Sequence, residues 1–323
     1  QYPIQPGGFD PSWESLAAYE TPEWFRDAKF GMWAIIGPQC VPLQGDWYAR
    51  NMYREGSRQY EHHVKTYGHP SQFGYKDLIA RFNPEKLDYD RLVGSYKRAG
   101  AKYAVILAVH HDNFDLWDSK HHEWDSVEKS PQRDLVGEFR EAAVKHDLRF
   151  GVTTHLARSY SWLQTSHGAD KGGPMKGVPY DGADPAYQTL YHRPFAESAR
   201  YPQNPPDAWK LQWYLRVKDL IDQYQPDLMY FDGGYPFDEG LVGRRLVELL
   251  GKSFDVRLIE KDEKCAQELS FALDNAEVLH GDGSDSNVLL AAGLLDMDTF
   301  ITATGENEAN IMSCVLAKHC LLY

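Results

Sequence analysis

An alternation constrains this chain more than any other feature. Short apolar runs, each ending in polar or charged residues, are separated by stretches with helical spacing. "YAVILAV" (103–109) is continuously apolar and runs straight into His110, His111 and Asp112. "RFGVTTHLA" (149–157) carries His155 near its end, and "PDLMYFDGG" (226–234) closes on Asp232. "KFGMWAII" (29–36) reads as a buried strand ahead of them. Helical spacing is found between these runs, in "LDYDRLVGSYKRAGA" (87–101), "RDLVGEFREAAVKHD" (133–147) and "DAWKLQWYLRVKDLIDQY" (207–224). An apolar strand without alternation needs cover on both faces, which a parallel sheet under helices provides. The fold class is therefore α/β. Its active groups are expected at the carboxyl ends of the strands, as in a (β/α) barrel or an open parallel sheet.

Charge and composition narrow the partners. The formal charge is −13, from 47 acidic and 34 basic residues. Nucleic acid and anionic membrane surfaces both favour a basic face, so neither is expected as a partner. No apolar run reaches the ~18 residues of a spanning helix. No signal-peptide pattern opens the chain, and a first residue other than Met fits a processed or trimmed chain. Cys40, Cys265, Cys314 and Cys320 match no zinc-ligand spacing and read as buried free thiols. Aromatic residues make up 13%, which suits either sugar-binding platforms or ordinary core.

The strand ends leave specific alternatives. His110 and His111 are adjacent, so on an extended strand their side chains point to opposite faces and only one meets a given pocket. They suit hydrogen bonding to a hydroxylated ligand, or one buried and one loop-capping histidine; as a metal-binding pair they are weak. Asp232, followed by Gly233 and Gly234, is a nucleophile, a base or a helix cap. Trp47, in the loop "GPQCVPLQGDWYARNMY" (37–53), and Trp117 are sugar platforms or core fillers. Residues 158–206 read as a long loop rich in Gly, Pro and Tyr.

Composition changes near residues 238–243. "GRRLVELLGKSF" (243–254) reads as a helix, "DVRLIEKD" (255–262) as a strand and "EKCAQELSFAL" (263–273) as a helix. "AEVLHGDGSD" (276–285) is a strand entering a Gly-rich turn, and "SNVLLAAGLL" (286–295) a short helix. "MDTFITATGENE" (297–308) is a strand and turn, and a last helix follows. The expected division is 1–237 and 238–323, the second part continuing the sheet of the first.

The stretches "KFGMWAIIGPQCVPLQGDWYARNMY", "FNPEKLDYDRLVGSYKRAGAKYAVILAVHHDNFDLWDSK", "RDLVGEFREAAVKHDLRFGV" and "QPDLMYFDGG" resemble the α-L-fucosidases of glycoside hydrolase family 29. The resemblance covers roughly residues 10–237. It implies a (β/α)-barrel-like domain, a fucoside as small-molecule substrate, and a retaining mechanism with two carboxylates ~5 Å apart. It places Asp232 at the nucleophile, His110 and His111 at the fucose-binding pair, and Asp46 and Trp47 in the loop that contacts the sugar. Tyr230 matches an aromatic beside the nucleophile, and His155 lies near a strand-end Tyr of many members. The chain also departs from the family pattern. Ile35 and Ile36 in "WAIIG" replace a His–Trp pair, and Leu43 replaces a polar residue. No acid/base residue is identifiable after Asp232, so catalysis is expected to be impaired or lost.

From about Leu241, "GRRLVELL", "DVRLIEKDEKCAQEL", "VLHGDGSD" and "ATGENEANIMSCVLAKH" resemble the Rossmann-type nucleotide-binding regulatory domains of bacterial potassium-uptake systems. That resemblance makes NAD or ATP a possible ligand, with Glu260 on the ribose. Gly240 and Gly243 keep only a fragment of the glycine fingerprint that cradles the pyrophosphate. No cofactor is otherwise expected. The first part resembles secreted or periplasmic enzymes and the second a cytoplasmic domain. The expectation is a recombined or engineered chimera: a fucosidase half-barrel joined to a Rossmann-type segment, either closing a barrel or leaving an open sheet. A purely structural protein without activity is the third possibility.

Overall fold

A computed structural model describes residues 8–9, 13–194, 205–232, 256–272 and 276–294. The chain divides into two compact units, Gln1–Pro236 and Phe237–Tyr323. The first is built on four strands: β1 (Gly31–Ala34), β2 (Tyr103–Val109), β3 (Arg149–Thr154) and β4 (Leu228–Phe231). They pair in the order β1-β2-β3-β4, and every pair is parallel. Strands that add one after another in one direction, each through a helical crossover, follow the winding of half a (β/α) barrel.

The helices between them begin and end where side chains satisfy the free backbone groups. Asp88 accepts the Arg91 amide at 3.0 Å and starts the helix Tyr89–Arg98. Gly100, at φ +94, follows its end, a conformation that glycine adopts without strain. Asp134 caps the helix Leu135–Lys145 through the Gly137 amide at 2.9 Å. The helix Asp207–Tyr224 ends at Gln225, which takes the left-handed conformation.

Alternation divides the sheet into two faces. Ala104, Ile106, Ala108, Phe150 and Val152 join the main core, with Val93, Phe139 and Leu220 of the helices. Val105 and Leu107 point the other way and are equally buried. On that face Trp33 of β1 and Tyr230 of β4 meet edge to face, with ring centroids 5.0 Å apart. In a flat sheet, β1 and β4 would stand ~14 Å apart, three strand spacings. Ring contact therefore requires a strongly curled sheet with Val105 and Leu107 on its concave side. Within the described residues the curl forms a half-barrel.

The second unit contains β5 (Val256–Glu260), the helix Glu263–Ala272, β6 (Ala276–His280) and the helix Ser286–Ala291. β5 and β6 pair in parallel with Val256 opposite Ala276. Asp285 caps the second helix through the Asn287 amide at 2.8 Å. The helix expected at 243–254, the strand and helix expected after 296, and Cys314 and Cys320 lie outside the described residues. Cys40 and Cys265, expected to be buried thiols, are half-buried.

The expected loop at 158–206 needs correction. Its described part holds short helical turns at Leu156–Arg158, Ser159–Trp162, Leu163–His167 and Gln188–Tyr191. Buried Trp162, Leu163, Leu190 and Tyr191 fold these turns onto the core. Turns this short have no amphipathic period to detect, so apolar burial rather than helical propensity holds them.

Candidate active site

The site forms just beyond the carboxyl ends of β2, β3 and β4. His110 and His111 follow β2, His155 follows β3, and Asp232 follows β4. The register of β2 against β3 shifts between Leu107 and Val109. Irregularities of this kind change which way the following side chains point. Beyond the shift the His155 amide bonds the Val109 carbonyl at 2.9 Å, and the Asp232 amide bonds that of Thr154 at 3.0 Å.

His110 and His111 lie past the last residue of β2, so strand alternation does not separate them. Instead of facing opposite ways, they converge. Their ring centroids are 4.7 Å apart, and those of His155 lie 5.0 Å from His110 and 5.3 Å from His111. All three are buried. His111 donates its Nδ1 hydrogen to the His155 carbonyl at 2.6 Å. His155 Nε2 is 3.1 Å from Asp232 Oδ2, while Asp46 Oδ2 is 3.9 Å from His110 Nε2, too far for a hydrogen bond.

The histidines are held in the neutral form. Burial pushes His110 far below the ordinary value, and the neighbouring imidazoles add to this. Burial, with the field of His155, lowers His111 to about 3. Burial lowers His155 as well, partly offset by the charges of Asp232 and Asp46. The cluster thus presents neutral imidazole nitrogens beside two carboxylates.

The loop carrying these groups is anchored from below. Tyr75 donates to the Asp112 carboxylate. Arg216, on the helix Asp207–Tyr224, donates through Nη1 to Asn113 Oδ1 at 2.7 Å and through Nε to Asp115 Oδ2 at 3.1 Å. Asn113 also donates to the Leu190 carbonyl at 2.8 Å. Of the "HHDN" segment, the histidines therefore face the site while Asp112 and Asn113 fix the backbone.

The aromatic residues divide in the same way. Trp47 is half-buried and lies edge-on to His111 at 6.4 Å and to Trp162 at 6.0 Å. Trp117 is core: it is fully buried, and its Nε1 donates to Asp219 at 3.1 Å. Tyr230 stands on β4 itself, against Trp33. Asp46 is largely exposed, at 64%. Trp162 had no signal in the sequence, yet its ring lies 5.7 Å from His110 and 5.4 Å from His111. Ile35 and Leu43 are exposed. In the second unit, Glu260 ends β5 and accepts the Asp262 amide at 2.8 Å. In the turn after β6, Asp282 Oδ2 pairs with Lys261 at 2.7 Å.

Residues 2–277 match the α-L-fucosidase family model, and residues 239–321 match the TrkA-N domain. The fucosidase match thus runs past residue 237, where the motif resemblance fades. The tissue α-L-fucosidase of Bos taurus is 30% identical over 230 residues, 71% of this chain and 42% of that protein. The plasma α-L-fucosidase of Homo sapiens is 28% identical over 229 residues, 70% of this chain and 42% of that protein. Among solved structures, the Thermotoga maritima α-fucosidase in complex with fucose is 30% identical, with a TM-score of 0.53. That alignment covers 74% of this chain and 52% of that one. The chain spans less than half the length of the curated relatives it matches. With most of its length matched by the family model and its described half-barrel shared with a fucose-bound relative, the chain belongs to the α-L-fucosidase family.

Proposed function

We propose that the first unit binds L-fucose between Trp47 and the three histidines, and that hydrolysis of α-L-fucosides by this chain is strongly impaired. The carrying observation is the convergence of His110, His111, His155 and Asp232 at three successive strand ends, walled by Trp47 and Trp162. Aromatic faces and buried imidazoles offer a sugar what it needs: an apolar wall, and nitrogens that donate or accept hydrogen bonds. In this reading Asp232 is the nucleophile. The impairment follows from its surroundings. His155 Nε2 at 3.1 Å engages the carboxylate that must attack the anomeric carbon. Just past β1 the chain offers Ile35 and Ile36, which cannot bond a hydroxyl. An absent general acid costs ~10²–10⁴-fold in rate.

The test is hydrolysis of an aryl α-L-fucoside by the chain and by Asp232→Ala, with L-fucose titrated by calorimetry. The expected result is fucose binding with slow turnover that Asp232→Ala abolishes. Equal rates for both proteins would remove Asp232 from the mechanism, and no heat at millimolar fucose would remove the sugar.

A nucleotide is the second reading, supported by the TrkA-N match and by Glu260 at the end of β5. Against it, the Glu260 carboxylate already caps the following turn. Titration of the full chain with NAD and ATP decides it. The pairing of two family matches in one chain supports a recombined origin.

A further inference from the structure

We propose that His110, His111, His155 and Asp232 form a site for one divalent transition-metal ion of the zinc class. The ligand nitrogens of the three histidines all lie within 4.8 Å of one another, and all three residues are buried. Three imidazoles and a carboxylate suit zinc, cobalt or nickel; calcium and magnesium favour oxygen alone.

One of the distances already matches a tetrahedral edge. Bonds of ~2.0–2.1 Å give tetrahedral edges of ~3.3 Å. His155 Nε2 and Asp232 Oδ2, at 3.1 Å, already stand one edge apart. The ion would take the place of the hydrogen between Nε2 and the carboxylate, and the neutral imidazole would carry its one hydrogen on Nδ1 instead. The other nitrogens must close in from 4.8 Å or less, within reach of a turn about the side-chain bonds.

The hydrogen bonds orient the ligands as outer partners of metal-bound histidines do. Because the Nδ1 hydrogen of His111 goes to the His155 carbonyl, Nε2 keeps its lone pair for the ion. His110 is an independent pointer. It is 4% exposed, and its buried Nδ1 has no hydrogen-bond partner. Buried polar atoms are normally bonded, so an orphan nitrogen beside two other imidazoles requires an explanation. With the ion on Nδ1, the Nε2 hydrogen faces Asp46 Oδ2 at 3.9 Å, which closes up into an outer-shell carboxylate. Two carboxylates and three neutral imidazoles balance a 2+ charge. The nearby positive charge of Arg158 opposes the ion, but one guanidinium is outweighed by Asp46 and Asp232.

The inference does not rest on fucose binding, and its test reads metal alone. The full chain is titrated with Co²⁺ and followed by its visible absorption, which is intense for four-coordinate cobalt. The expected result is one equivalent bound, with affinity more than ~100-fold weaker in His155→Gln and His111→Gln, a loss beyond the ~10–100-fold that an outer-shell partner costs. His146→Gln, a histidine paired with Asp90 away from the site, leaves binding unchanged. Asp232→Asn alters the cobalt bands and weakens binding at least ~10-fold, a readout that stands if a histidine variant fails to fold. No visible bands at millimolar Co²⁺, or equal binding by the chain and the folded variants, would overturn the site. An ion on Asp232 would block its attack on a sugar, so the fucose assays are run in chelator, and each titration can then fail without touching the other.

Discussion

His111 is the residue whose role the chain could not declare in advance. Two adjacent histidines on an extended strand point apart, and that rule holds only while the strand lasts. β2 stops at Val109, the register against β3 has already shifted, and both rings turn into one cluster. His110, His155 and Asp232 could be located from sequence because each follows an apolar run. Trp162 could not, because nothing local marks a tryptophan in an irregular segment as part of a wall. The same scale holds a strong structural dependence. Arg216 and Asp115 are both fully buried and paired. Removing one partner leaves an uncompensated charge, so Asp115→Ala is expected to cost ~3–5 kcal/mol. Denaturant unfolding measures this, and a loss under ~1 kcal/mol would show that water or Asn113 already satisfies the guanidinium.

The strand Tyr103–Val109 and the helix Asp207–Tyr224 were legible at both ends, while the stretches read as the helices Tyr89–Arg98 and Leu135–Lys145 ran two or three residues too long at each end. A helix closes its bonds within itself, and its caps are encoded next to it. In the fold Asp88 and Asp134 cap two helices and Gly100 follows the end of the first, each lying inside a stretch that read only as helical. A strand ends where its neighbour ends, which is a non-local fact. The run 29–36 therefore pairs only over Gly31–Ala34. Asp134 gives this scale its prediction. It caps Leu135–Lys145 and also accepts from the Tyr224 hydroxyl at 2.9 Å, tying two helices together. Asp134→Ala is expected to lose ~1–2 kcal/mol, the upper part of the range for a cap. Asp134→Ser, which restores only the cap, should recover most of it. If Ser and Ala melt alike, the tie to Tyr224 dominates instead.

At the scale of the molecule, buried histidines set the response to acid. Burial lowers His63 to about 4, His111 and His192 to about 3, and His110, His122, His155 and His167 below their ordinary range. A lowered folded value means the unfolded chain binds more protons as pH falls, so stability is present above ~6.5 and is lost below it. Burial also raises the Asp112, Asp115 and Asp181 carboxyls to about 6, and these act the opposite way between ~4 and 6. The histidines outnumber them and begin to act at higher pH. Each net proton contributes about 1.4 kcal/mol per pH unit. The urea midpoint of the chain, measured in chelator, is expected to fall steadily from pH 7 to pH 5. A flat or rising midpoint would mean these imidazoles are hydrated in solution.

The sequence by itself determined the α/β class, the order of strands and helices, and the placing of polar groups at the strand ends. Each of these is written in periods of a few residues or in a single neighbouring side chain. The tertiary structure alone decided the curl that brings Trp33 of β1 against Tyr230 of β4, the shift that turns His111 inward, and the closeness of His155 to Asp232. These depend on contacts between residues far apart in the chain, where many arrangements satisfy the same local pattern and packing selects one.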